Sequence, residues 1–137
     1  MACEPEEAYS SLSLSSDPEI VALRNERKQW RARIQELAAL QQDWDDENAD
    51  PIVPSLLQLI ETFLTYAPLQ VLSNWWLFPA PNGSVGLSPE GKKRASVSIG
   101  TNGISFVARR NNNEISGTIS ADPKLLANLM LLLTLAF

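Results

Sequence analysis

The chain contains no histidine and a single cysteine, Cys3. Without imidazole it lacks the commonest general base, the commonest zinc ligand and every Ser-His or Cys-His nucleophile pair. One cysteine builds neither an internal disulfide framework nor a thiolate metal site, so a reducing compartment is expected. No run approaches the ~20 apolar residues of a membrane span, and MACEPEEAYSS places acidic residues where a signal peptide needs a basic start. A cytoplasmic location with no membrane association is therefore expected. GxGxxG, GxxxxGK[ST] and Ser-x-x-Lys are also missing, which leaves a nucleotide-phosphate cradle and lysine-assisted serine chemistry without support.

What is present describes an acidic, foldable chain. Its 137 residues suit one domain, and 45% hydrophobic content is enough for one core. Lys and Arg number 11 against 16 Asp and Glu, a net charge of −5 that repels a phosphate backbone unless the cations gather on one face. Residues 1–50 hold 12 acidic and 5 basic side chains, and residues 51–137 hold 4 and 6, so the acidity belongs to the front of the molecule.

Residues 1–16 are rich in Glu and Ser without helical or strand periodicity, which predicts a flexible N-terminal tail ahead of a single domain over 17–137. Ser16-Asp17-Pro18-Glu19 combines a cap, a first-turn proline and an acidic residue at the positive end of a helix dipole. The helix that follows carries Ile20, Leu23, Trp30, Ile34 and Leu37 on one stripe, interrupted by Arg27, and either packs on its own domain or pairs with a second chain. Val53-Pro54-Ser55 starts a second helix with Leu56, Leu59, Ile60, Phe63 and Leu64 on its core face, ending near Tyr66-Ala67-Pro68.

From Asn74 the period becomes strand-like, in runs over 75–78, 84–87, 95–100, 104–109 and 114–120. Turn-formers separate them: Pro81-Asn82-Gly83, Ser88-Pro89-Glu90-Gly91, Thr101-Asn102-Gly103 and Asn111-Asn112-Asn113. Asp122-Pro123 then repeats the cap-and-proline start ahead of LLANLMLLLTLAF, apolar on nearly every side. That segment is expected to be a helix packed on the apolar face of the sheet, with a dimer surface or membrane contact as the alternatives. The fold class is α+β: two N-terminal helices, an antiparallel meander of four to five strands, and a C-terminal helix.

Five carboxylates crowd QQDWDDENADPIVP. As a calcium loop it places Asp43, Asp45 and Glu47 at the first, third and fifth positions, but Asn48 replaces the required glycine and Pro54 the bidentate glutamate. A glycosidase-like pair would need a cleft and two contrasting environments, for which nothing else in the chain provides. A solvated helix connection whose carboxylates cap the following helix is the expectation, with no metal, no cofactor and no catalytic residue.

Two basic groups are candidates for nucleic-acid contact: Arg27 and Arg31 on the first helix, and Lys92, Lys93 and Arg94 on a turn. Glu19, Glu26 and Glu36 on the same helix and the net charge oppose that reading. Trp75-Trp76-Leu77-Phe78 is the densest aromatic cluster, and strand alternation sends Trp75 and Leu77 to one face and Trp76 and Phe78 to the other. One pair is core. The other is a candidate interface anchor, because large exposed aromatics concentrate binding energy.

LAALQQDWDDENADPIVP, FPAPNGSVGL and VSIGTNGISFVAR together resemble a loose group of small uncharacterised bacterial proteins with a Gly-Trp-Asp-Gly type element, here Asp43-Trp44-Asp45-Asp46. Asp43 and Asp46 stand where that group has glycines, and Ser88 where it often has an aromatic. The resemblance implies a small cytoplasmic protein, antitoxin-like or accessory to a bacterial defence system, and carries no catalytic residues. The expected function is a non-enzymatic protein-binding module for a basic partner such as a toxin or nuclease, acting through Trp75, Trp76, Phe78, Asp45, Asp46 and Glu47. A homo-oligomerising structural protein and a nucleic-acid-binding accessory protein are the alternatives.

Overall fold

The structure is a computed structural model describing residues 17–90 and 94–136 of the chain. The tail expected over 1–16, with Cys3, and the candidates Lys92 and Lys93 lie outside the described residues. The described part is α+β, with the order α1 (Pro18–Ala38), α2 (Pro54–Tyr66), α3 (Leu69–Leu72), β1 (Trp75–Pro79), β2 (Val85–Pro89), β3 (Ala95–Gly100), β4 (Gly103–Arg110), β5 (Asn113–Ile119) and α4 (Pro123–Ala136).

Both predicted caps form. The Asp17 carboxylate accepts hydrogen bonds from the N–H groups of Glu19 and Ile20, at 2.8 and 3.4 Å. Asp122 does the same for Lys124 and Leu125, at 2.8 and 3.1 Å. The α2 start has no side-chain cap. Instead, the Val53 N–H just before it donates to the Gly83 carbonyl at 3.0 Å, which ties the helix to the β1–β2 turn.

The five strands form one antiparallel sheet in chain order, so every strand pairs with its sequence neighbours. Alternation sorts the two faces. Trp75, Leu77, Val85, Leu87, Ala95, Val97, Ile99, Ile104 and Ala108 are buried with the helices in one cluster, while Ser96, Ser98, Ser105 and Val107 point to solvent. Ser88 and Pro89, expected in a turn, extend β2 opposite Trp76 and Trp75. Proline is tolerated there because β3 pairs with β2 only as far as Leu87, leaving the end of β2 with one neighbour.

Two features depart from expectation. The short helix α3 was not foreseen, since four residues show no periodicity; it is bracketed by Pro68 and Ser73. The last helix is buried on one side only: Leu126, Ala127, Met130 and Leu133 enter the core, whereas Leu125, Leu132 and Leu135 are exposed. It lies mainly along α2 and α3 and reaches the sheet where the Trp75 indole N–H donates to Thr134 Oγ1 at 2.8 Å.

Trp30 joins the layers. It is fully buried, its indole N–H donates to the Leu72 carbonyl at 3.0 Å, and its ring lies 5.8 Å from those of both Phe63 and Trp76. Arg27, the interruption of the α1 stripe, is explained by its reach: Nε donates to the Leu64 carbonyl at 3.0 Å, placing a cation at the negative end of α2. Trp30→Ala is expected to cost about 3–5 kcal/mol in urea unfolding, because it leaves a cavity and an unpaired carbonyl. A loss below about 1 kcal/mol would contradict this placement of the residue.

Candidate functional site

The interface candidates separate into three groups. Trp75, 2% exposed, is a core residue and leaves the set. Trp76 and Phe78 share the opposite face of β1, beside α1: Trp76 is half-buried against Trp30 in an edge-to-face contact of 76°, and Phe78 is 45% exposed with the Arg33 guanidinium 6.0 Å from its ring. Arg33 is fixed from two sides, donating to the Leu77 carbonyl at 3.1 Å and to Glu36 at 3.0 Å.

The third group is the acidic connection, which is held by its own carboxylates. Asp43 Oδ1 accepts from the Asn48 N–H at 2.6 Å, and Asp45 Oδ1 from the N–H groups of Glu47 and Ala49 at 2.9 and 3.0 Å. Trp44 donates its indole N–H to the Asp50 carbonyl at 2.7 Å. The loop docks on the β1–β2 turn through Asp50 N–H to the Pro81 carbonyl at 2.8 Å. Asp43, Asp46 and Asn48 take positive φ values of 67°, 60° and 70°, a region in which Asp and Asn are the most tolerated non-glycine residues. Thus the carboxylates of Asp43 and Asp45 serve the backbone, whereas among the described residues none donates to those of the exposed Asp46, Glu47 and Asp50. Among the described residues no cluster of three acidic or cysteine side chains is arranged to hold a metal ion.

The basic candidates do not converge. Arg27 caps α2, and Arg31 pairs with Glu61 at 3.0 Å. Arg94 is exposed at the far side of the sheet, beside Arg109, which pairs with Glu114 at 2.9 Å.

A feature not legible in the sequence lies where α1 crosses the start of β1. Glu26 and Gln29 of α1, Ser73 after α3, Trp75 and Trp76 of β1, and Glu90 after β2 enclose a hollow of about 220 Å³. Glu90 is placed by its N–H, which donates to the Asn74 carbonyl at 2.9 Å. Glu26 is half-buried on the helix flank. Two carboxylates and an indole thus line one hollow, and these are side-chain types that attract positive charge, an indole through its ring face and a carboxylate by accepting hydrogen bonds. Its volume suits the head of one long side chain rather than a drug-sized ligand. A second hollow, of about 300 Å³, lies between the β1–β2 and β3–β4 turns, bordered by Asn82, Ser98, Asn102, Ser105 and Thr118; it contains hydroxyls and amides but no charged group.

Compared with protein-family models, with curated proteins and with solved structures, the chain matches none.

The acidic loop gives a paired expectation. Asp43→Ala loses the acceptor for Asn48 and sets a Cβ without polar compensation at positive φ, at about 1–3 kcal/mol. Asp46→Gly, at a position with positive φ and no side-chain hydrogen bond, is expected to stay within about 1 kcal/mol of the parent. Thermal melts of the two variants read the difference, and the reverse order would show that the carboxylates do not shape this loop.

Proposed function

We propose that this chain is a non-enzymatic protein-binding module that takes a basic partner along the α1–β1 edge. The observation that carries the reading is the hollow of Glu26, Trp76 and Glu90, which suits an inserted lysine or arginine of that partner. Phe78 supplies an apolar anchor farther along the same strand, and the exposed Asp46 and Glu47 extend the acidic field toward the turn on which their loop docks. An anchor with a charged surround is the usual economy of such surfaces, with the aromatic contributing affinity and the charge steering encounter. The loop is held by its own hydrogen bonds, so little ordering entropy remains to be lost on binding.

The partner fits the description of a basic toxin or nuclease, and the resemblance of LAALQQDWDDENADPIVP to small defence-associated proteins supports an antitoxin-like or accessory role for this chain. Nucleic acid is the weaker reading, because two of the three described basic candidates are engaged by α2.

The test is affinity capture of soluble protein from extracts of the source cell, with the bound protein identified by mass spectrometry and its affinity then measured with purified material. The expectation is one basic protein, bound more weakly as salt rises, with affinity falling about tenfold or more, equivalent to about 1.4 kcal/mol, in the Glu26→Gln/Glu90→Gln variant. Circular dichroism checks that the variant is folded. Recovery of nucleic acid alone, or a partner indifferent to both glutamates and to Phe78→Ala, overturns the proposal.

A further inference from the structure

We propose that β5 is a self-pairing edge, and that two copies of the chain join there as a continuous ten-stranded antiparallel sheet about a two-fold axis at Ser116. The surface lies at the opposite edge of the sheet from β1 and is independent of the partner-binding reading.

The two edges differ in protection. At β1, α1 lies alongside and Arg33 donates to the Leu77 carbonyl. Among the described residues β5, with the sequence NEISGTI, has a strand neighbour on one side only, and it carries neither the proline nor the lysine that blunts an open edge. Ile115, 48% exposed, faces the helix side of the sheet, because it pairs with the buried Ala108.

The side chains select both the occupant and the register. An antiparallel pairing centred on Ser116 matches all seven residues of β5 with those of a second copy: Ser116 with itself, Ile115 with Gly117, Glu114 with Thr118, Asn113 with Ile119. It keeps the helix layers of both copies on one face. The only charge on the strand, Glu114, then meets a hydroxyl. Moving the centre to Glu114 would oppose two carboxylates, and moving it to Gly117 would leave Glu114 without a strand partner.

Gly117 supplies the space. Its pro-Cβ position lies 3.1 Å from Phe106 Cε1, so the Phe106 ring already covers the glycine. Ile115 of a second copy, directly opposite Gly117, would come beside that ring, and the apolar row Val97, Phe106, Gly117 would continue across the axis into Ile115, Ala108 and Ala95 of the other chain. The half-exposed isoleucine and the partly covered phenylalanine thus complete each other twice, as an isologous contact requires.

Cross-linking tests the register. In antiparallel neighbours the paired Cα atoms are roughly 4.5–5.5 Å apart, within the roughly 4.4–6.8 Å span of a disulfide. In a Cys3→Ser background, Ser116→Cys is expected to form disulfide-linked dimers under mild oxidation about tenfold or more faster than Glu114→Cys, because only the former faces its own copy. An equimolar mixture of Glu114→Cys and Thr118→Cys should recover the fast rate. Light scattering of the unmodified chain should approach twice the chain mass as concentration rises, and Ile115→Lys should hold it at one chain mass with an unchanged far-ultraviolet spectrum. A monomer at every concentration, or Ser116→Cys linking no faster than Glu114→Cys, overturns the proposal; the second result holds even if Ile115→Lys fails to fold.

Discussion

The fold depends on the burial of Trp30. This one indole touches Phe63 of α2, Trp76 of β1 and, through its N–H, the last carbonyl of α3. Four elements therefore share a single side chain, and its hydrogen bond admits only one orientation. A large apolar ring contributes most where all of it leaves water, and a buried donor with a fixed partner sets the register of what surrounds it. The docking of α1 at the sheet edge, the turn of α3 and the half-burial of Trp76 all follow from that contact.

Because α1 is pinned there, the sheet is asymmetric. One edge is flanked by a helix that also supplies a guanidinium to the strand backbone, and the other has no such cover among the described residues. The same placement opens the Glu26–Trp76–Glu90 hollow, since a helix crossing the start of β1 cannot fill the space between its own flank and the segment after β2. The site and the edge are thus two results of one packing decision, at opposite sides of the molecule.

Much of the architecture was legible. Asp-Pro starts at 17–18 and 122–123 marked two helices, the spacing of three and four marked α1 and α2, and Asn-Gly and Pro-Asn-Gly clusters separated strands whose bounds differ from expectation by only a residue or two. Less was legible of the site. Strand alternation divides Trp75 and Leu77 from Trp76 and Phe78 but cannot say which pair is fully buried, since both are apolar. Glu26 and Glu90 fall in unrelated segments and gave no signal; only the crossing of α1 over β1 brings them together. Arg27 looked like a flaw in an apolar stripe because its partner, the end of α2, is remote in sequence. The connection is a turn, as expected, but its carboxylates do not cap α2, which starts without a side-chain cap; Asp43 and Asp45 instead hold the turn itself, and they look identical to Asp46 until the backbone is drawn.

The strictly sequential strand order has a consequence for how the chain gathers itself. Each hairpin closes over a short separation, whereas the contacts that seat α1, Trp30 to Leu72 and Arg33 to Leu77, span 42 and 44 residues, and the bond that seats α4, Trp75 to Thr134, spans 59. Loop-closure entropy is therefore light throughout the meander and concentrated in the two helices that flank it in sequence. The sheet is kinetically a local object, and the last helix is the element whose arrival demands the longest search.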